Sequence, residues 1–269
     1  SSSRPTLRRC DRLSPMSEQA STGPTGEELA AIEAAEPRCR RLDWTDEDGA
    51  VLASVVVGPP RLAPGETGVP VAYRKWVDAL NDADQKSVAA NNLALTSCLW
   101  PAREKLRLFL DSAPDAVYTI GDLIGALASP DTLDVVKRSG GEWSRESGAP
   151  LTEAQSAKLA AARAAHPIAR LWACVVDVGA GEELVVAKPA RSARHHEARA
   201  LGAKGRVYDS AELLSQGGAV VEPSAERFAA MVADRPGLAL VVGGAVGDLG
   251  SPGAVTLGKA RPSSRGPSR

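Results

Sequence analysis

The three histidines are the residues whose chemistry could most readily serve catalysis or metal binding. His195 and His196 are neighbours in the charged stretch 190–200, which is predicted to be helical. Adjacent side chains on a helix point about 100° apart, so the two rings cannot hold one metal ion from one face. His166 precedes Pro167, as expected for the end of a helix. We therefore predict no metal site and place His195 and His196 on a solvated helix surface.

Two short segments carry the residue types of ligand-binding loops. The sequence DVGAG at 177–181 follows apolar residues, but it lacks the third glycine of the dinucleotide motif and the Gly-Lys-Ser/Thr of a P-loop. Glu182 and Glu183 would also place negative charge beside a bound phosphate. The acidic run at 46–48 lacks the spaced ligands of a calcium loop. Both segments are predicted to be the turns of β-hairpins.

The cysteines form no recognisable pattern. Cys10, Cys39, Cys98 and Cys174 are widely spaced, and none belongs to a CxxC pair. This spacing favours neither a zinc site nor a disulfide framework, and it is typical of thiols in a reducing cytoplasm. No Ser-His-Asp or Cys-His set can be assembled from the spacing. The sequence therefore predicts a protein without catalytic activity, metal or cofactor; an enzyme with an unrecognised site is an alternative.

Composition and charge bear on the broad class of the protein. Of 269 residues, 43% are hydrophobic and only 4% aromatic, so a core would consist mainly of Ala, Val and Leu. The formal net charge is −1, but residues 16–253 alone carry −8, because both ends of the chain are basic. An acidic body argues against nucleic-acid binding. No apolar run reaches the roughly 18 residues of a membrane helix, and no secretory signal is present, so we predict a cytoplasmic protein without a membrane partner.

The two ends of the chain are predicted to be disordered. Residues 1–24 form a polar leader, in which Met16 opens a stretch that looks like an ordinary protein start. Residues 1–15 are then either an over-extended gene start or a flexible basic arm. Residues 254–269 form a basic tail rich in Pro, Ser, Gly and Arg.

An internal repeat organises the rest of the chain. Shifted by 122 residues, the segment 98–130 aligns without a gap on 220–252, with eight identities in 33 positions. Unrelated segments of this length would share about two. Several identities are prolines and glycines, which constrain the backbone: Pro101/Pro223, Gly121/Gly243 and Gly125/Gly247. The glycines fall inside the last predicted helix of each copy, where they indicate close helix packing and no ligand.

Upstream of this alignment, both copies show the same order of elements. An Ala-rich helix ends at a proline, and two β-branched runs around an acidic glycine turn predict hairpins within 40–60 and 169–189. Short amphipathic helices follow. The predicted fold is α+β and mainly helical, with two tandem repeats, each a helix, a β-hairpin and a compact bundle of short helices. Repeat 1 spans 25–131, a flexible linker spans 132–150, and repeat 2 spans 151–253.

The order of these elements resembles the small tail assembly chaperones encoded by tailed phages and prophages. The resemblance is carried by the helix predicted at 86–99 with its Cys-Leu-Trp-Pro end, a following helix rich in bulky apolar residues, a Pro-Asp break, and an apolar terminal helix containing glycine. It covers roughly 25–131 and 151–253, so this chain would hold two copies of a unit that stands alone in that family.

The resemblance implies a non-enzymatic function. Such chaperones bind the long, helical tape measure protein in the host cytoplasm, before the tail tube polymerises around it. The implied partner is therefore a protein, and neither nucleic acid nor a cofactor is expected. A structural or adaptor subunit that stays in the phage particle is the alternative, and the oligomeric state is left open.

Large apolar side chains are the candidates for contact with that partner, although their helical spacing also fits core positions. The candidates are Trp76, Trp100, Phe109, Tyr118, Phe228 and Met231. Trp143, in the predicted linker, is either a packing anchor or an exposed contact.

Overall fold

The chain forms two units, with the boundary between Ser129 and Pro130. The computed structural model describes residues 23–45, 47–63, 65–139, 141–179, 181–216 and 218–250. The predicted tail, and all of the predicted leader except residues 23 and 24, lie outside the described residues. The α+β, mainly helical class predicted from the sequence is confirmed.

Within its described residues, unit 1 contains a small antiparallel sheet and five helices. Its elements are α1 (Gly26–Ala35), β1 (Arg40–Thr45), β2 (Val51–Val57), α2 (Val71–Ala79), α3 (Ala83–Ser97), β3 (Cys98–Trp100), α4 (Arg103–Ser112) and α5 (Ala116–Leu127). The strand order is β1-β2-β3, and β1 and β2 form the predicted hairpin. Burial of three consecutive residues of β2, Val55, Val56 and Val57, shows that both faces of this strand are covered.

The described part of unit 2 contains a larger antiparallel sheet and again five helices. Its elements are β4 (Leu133–Ser139), β5 (Glu142–Arg145), α6 (Glu153–Ala165), β6 (Trp172–Asp177), β7 (Glu182–Ala187), α7 (Ser192–Gly202), α8 (Val207–Ser215), β8 (Val220–Glu222), α9 (Ala225–Asp234) and α10 (Gly237–Gly250). The strand order is β5-β4-β6-β7-β8. Helix α6 buries Leu159 against one face of this sheet, with Ala173, Val175 and Leu184.

The segment predicted to be a flexible linker, 132–150, is instead largely a β-hairpin. Strand β4 pairs antiparallel with β5 and, through its first four residues, with β6. Gly141, which belongs to the sequence interpreted as a flexible section, lies between β4 and β5 and has a φ of +96°. Val136 of β4 is buried and belongs to the core cluster of the sheet.

The helix predicted over 86–99 ends earlier than expected. Helix α3 ends at Ser97, and the next three residues form β3, which pairs antiparallel with β2. The apolar residues of 98–100 continue the helical pattern of the sequence, but their backbone groups join the sheet. The corresponding residues of unit 2, 220–222, form β8 in the same way.

The two units share an order of elements: helix, two strands, two helices, strand, two helices. The bounds of β3 and β8, and those of α4 and α9, are offset by 122 residues, which is the shift found in the sequence. The hairpin of β4 and β5 precedes the shared order in unit 2.

Glycines in the last helix of each unit permit close packing, as predicted. A Cβ at Gly125 would lie 2.3 Å from Cη2 of the Trp76 ring, so the indole fits only because Gly125 has no side chain. In unit 2, a Cβ at Gly243 would lie 2.3 Å from the carbonyl oxygen of Ala211 in α8. The glycine in α10 therefore lets two helix backbones approach closely.

Candidate interaction surface

Three of the six candidate contact residues are buried, which favours the core position that their helical spacing also fitted. Trp76 is 7% exposed, and Phe228 and Met231 are 2% exposed each. Side chains at this burial cannot reach a partner while the protein stays folded. Helical spacing of large apolar residues identified the core face of α2 and α9, because the hydrophobic effect places most such residues inside.

The other three predicted contacts are partly exposed, and each lies against a neighbour in unit 1. The Phe109 ring packs on Trp44 with ring centroids 4.8 Å apart. The Lys86 ammonium lies 5.6 Å from the centroid of the Tyr118 ring, within the range of a cation–π contact. Trp100 lies in β3, opposite Val56 of β2. Their role in binding a partner stays a prediction.

A groove on unit 2 combines residues that the sequence analysis did not bring together. It consists of two adjoining hollows of about 570 and 520 Å³, which share Arg170, Trp172 and Leu249. We call it the α10 groove and define it by Trp143, Arg170, Trp172, Val241, Ala245 and Leu249.

The β4–β5 hairpin is the element that creates one wall of this groove. Helix α10 packs across β6 and β7. Strand β4 lies on the other side of β6 and widens the sheet beyond the strands that α10 covers. The hollow between them is therefore bordered by residues 135–138 of β4, by Trp172 at the start of β6, and by the flank of α10.

The groove wall formed by α10 is apolar or small over most of its length. Leu240, Val241, Gly244, Ala245 and Leu249 line it, and Val241 is 37% exposed. Their spacing of three and four residues places them on neighbouring positions of one helix flank. The two tryptophans, one in each of β5 and β6, add half-buried rings. Such a surface buries apolar area when a complementary element binds.

The charges that line the groove are mainly positive, in contrast to the acidic body of the chain. Four cations, Lys137, Arg138, Arg163 and Arg170, line it together with one carboxylate, that of Asp248. The Arg138 guanidinium carbon lies 5.9 Å from the centroid of the Trp143 ring. Arg163 Nη1 donates to the carbonyl oxygen of Ala169 at 2.6 Å. These contacts orient two of the cations beside the apolar surface.

An ion pair anchors the hairpin that forms the groove. Arg145 of β5 is buried and donates through Nη1 to Glu182 of β7 at 2.8 Å, and through Nη2 to Gln155 of α6 at 3.1 Å. The hydrogen bond from Arg145 lowers the pKa of the Glu182 carboxyl and raises that of the guanidinium. The pair joins β5, β7 and α6, and so stabilises the position of the hairpin on the sheet.

Trp143 satisfies both of the roles considered for it. Its half-buried ring packs against the core beneath α6, and it also lines the groove. It was the one groove residue that the sequence singled out. Trp172 and the flank of α10 carried no local signal of exposure, because each lies in an apolar run that is typical of core.

The segments considered for metal, phosphate or catalytic chemistry lie between the paired strands of a hairpin and on a helix. The described residues of DVGAG beyond Asp177, the last residue of β6, lie between β6 and β7, where a hairpin turn was predicted, and Gly179 donates its backbone N–H to Asp177 at 2.8 Å. His195 and His196 lie on α7; His196 is exposed, as predicted, whereas His195 is half-buried rather than solvated. Asp46 lies outside the described residues. Among the residues that the structure describes, no group of three His, Cys, Asp or Glu side chains could hold a metal ion.

Comparisons with protein-family models, curated proteins and solved structures found no match to this chain. Within the described residues, no helix has the length and apolar character needed to cross a membrane.

Proposed function

We propose that this chain is a non-enzymatic protein-binding factor that receives an amphipathic helix in the α10 groove. The partner would be the tape measure protein of a phage or prophage tail, as the resemblance to tail assembly chaperones implies. The observation that carries the proposal is the pairing of an apolar helix flank and two tryptophans with a mainly cationic border.

The dimensions of the groove suit a helix. The stretch of α10 from Leu240 to Leu249 corresponds to about 13 Å along the helix axis. Residues at positions i, i+3, i+4 and i+7 of a partner helix span about 10 Å, so one such apolar stripe matches the wall. A tape measure protein is a long helix that must bury stripes of this kind before the tube encloses it.

The charges of the groove select the partner's polar residues. With four cations and one carboxylate at the border, a helix with Glu or Asp beside its apolar stripe is favoured over a basic one. Opposite charges also steer the two proteins together, which makes the association rate sensitive to salt. The acidic remainder of the chain would keep the apolar surface soluble.

The proposal takes the two units as tandem copies that have diverged. The shared order of elements and the offset of 122 residues support this view. Because the β4–β5 hairpin forms one wall of the groove and precedes the shared order in unit 2 alone within the described residues, unit 2 is the unit proposed to bind the helix.

Direct binding tests the proposal with the full chain and synthetic peptides that cover the amphipathic segments of a phage tape measure protein. Val241→Glu places a charge on the groove wall, and we expect at least a tenfold loss of affinity by fluorescence anisotropy. Val207→Glu is the matched control, since Val207 is 38% exposed on α8 of the same unit and does not line the groove.

Three outcomes would contradict the proposal in different ways. Equal binding by the two variants and the unmodified protein would show that the groove is not the binding surface. Absence of binding to every segment of the tape measure protein would show that it is not the partner. Recovery of the protein at stoichiometric amounts in purified particles would instead make it a structural subunit.

A further inference from the structure

The outer edge of β1 is the second surface of this protein that suits a partner. In unit 1 the strand order is β1-β2-β3, and among the described residues β1 pairs with β2 alone. Four of its six residues, Arg40, Arg41, Asp43 and Thr45, are exposed. An edge strand presents a row of backbone N–H and C=O groups that can pair with another strand.

In unit 2, the strand edge that corresponds to the outer edge of β1 is covered by another strand. Strand β6 occupies the position that β1 has in unit 1, since each is the first strand of its hairpin and follows the first helix of the shared order. The outer edge of β6 is covered by β4, which pairs antiparallel over four residues, from Leu133↔Val176 to Val136↔Ala173. An antiparallel strand outside β1 would therefore extend the sheet of unit 1 in the way that β4 extends the sheet of unit 2.

We infer that the strand that pairs with β1 is β1 of a second copy of this chain. In an antiparallel pair related by a twofold axis at Leu42, Arg41 of each copy lies opposite Asp43 of the other. Opposite charges that face each other across strands stabilise pairing, and this register contains two such pairs.

Neighbouring registers that keep the faces of the two sheets aligned are disfavoured by charge. A twofold axis at Arg41 would place two guanidinium groups opposite each other, and an axis at Asp43 would place two carboxylates there. In the register centred on Leu42, Arg40 also lies opposite Trp44 of the second copy, a pairing that permits a cation–π contact. The charge pattern of β1 is thus self-complementary in one register.

Arg41 and Asp43 of β1 are already held together on one face of the strand. Arg41 Nε donates to the Asp43 carboxylate at 2.7 Å, and the Ser54 hydroxyl of β2 donates to the same carboxylate. These hydrogen bonds lower the pKa of Asp43, although its burial acts in the opposite direction. Both charges are therefore present at neutral pH, and pairing of two copies would bring four alternating charges together on one face of a six-stranded sheet.

Sedimentation velocity of the full chain over a range of concentrations tests this inference. The unmodified protein is expected to form dimers. Arg41→Asp and Asp43→Arg each turn both attractive pairs into repulsive ones, so each variant alone should dimerise at least about tenfold more weakly. Mixing the two variants restores both attractive pairs across the interface, and a heterodimer is expected.

The mixing step distinguishes a lost dimer contact from a damaged fold. Each variant keeps its two like charges at positions 41 and 43 after mixing, so only the contacts between chains change. A monomeric unmodified protein at all concentrations would overturn the inference, and so would a mixture that stays as monomeric as its components. Dimers that form only after removal of residues 1–22 would indicate that this segment, and not a second copy, pairs with the edge of β1 in the full chain. Val241→Glu should dimerise like the unmodified protein, which keeps this test independent of the α10 groove.

Discussion

Replacement of Gly243 by Ala tests whether α8 and α10 touch through their backbones. The added Cβ would lie 2.3 Å from the Ala211 carbonyl oxygen, 2.6 Å from its Cα and 2.7 Å from its carbonyl carbon. Ordinary contacts between such atoms are about 3.5–4.0 Å, so the two helices must separate by about 1 Å. All three obstructing atoms belong to the backbone of a packed helix, and no side-chain rotation relieves them.

Gly244→Ala in the same helix is the matched control. No atom lies within 4 Å of a Cβ built there, so this variant should gain about 0.5–1 kcal/mol from the higher helix propensity of Ala. Gly243→Ala gains the same propensity but adds an overpacking cost of about 1–3 kcal/mol. Because the propensity terms cancel, we expect Gly243→Ala to be less stable than Gly244→Ala by about 1–3 kcal/mol.

Differential scanning calorimetry measures this difference, which corresponds to roughly 3–10 °C in the unfolding temperature of unit 2. Hydrogen exchange of peptides from α8 and α10 would locate the loosened contact. Equal unfolding temperatures for the two variants would refute the close approach of these helices.

Three further predictions concern the core and the groove anchor. Gly125→Ala should destabilise unit 1 by about 1–3 kcal/mol in chemical denaturation, and Trp76→Phe should recover part of that loss in the double variant, since the indole is the obstructing group. Burial raises the pKa of the Cys174 thiol to about 12, so this thiol should resist a disulfide reagent at pH 8 until the protein unfolds. Arg145 lowers the pKa of Glu182, so the ion pair stabilises the fold above the ordinary pKa of a glutamate, and this stabilisation is lost as the pH falls through the lowered pKa. We therefore expect Glu182→Gln to be less stable than the unmodified protein at pH 7 and to lose less further stability than the unmodified protein in an acid titration.

Local patterns in the sequence predicted much of the fold. The hairpin formed by β1 and β2 follows from two β-branched runs around an acidic turn, and α2 follows from apolar residues at helical spacing. The close packing at Gly125 and Gly243 was also predicted, because a glycine has no side chain and leaves room where two elements cross.

Features that depend on pairing between distant segments were missed. Strand β3 has three residues and continues the apolar pattern of α3, so only its pairing with β2 identifies it as a strand. The β4–β5 hairpin was interpreted as a linker, since the Ser-Gly-Gly sequence of this segment has the composition of a flexible section.

The candidate site was the least predictable feature. Its walls include residues 135–138, Trp143 and residues of 240–249, which are about a hundred positions apart in the chain. Periodicity identifies which face of a helix is apolar, but the extent to which a neighbouring element covers that face depends on tertiary structure. For this reason Phe228 and Met231 were predicted as contacts and are core, whereas Val241 and Trp172 were not considered.

Hydrogen–deuterium exchange of the full chain, with and without an acidic amphipathic peptide from a phage tape measure protein, tests whether the α10 groove binds a helix. We expect the peptide to slow exchange in residues 135–143, 170–172 and 240–249, and we expect this protection to weaken as salt is raised. Protection confined to unit 1, or exchange in these three segments that the bound peptide leaves unchanged, would contradict the assignment of the α10 groove as the helix-binding surface.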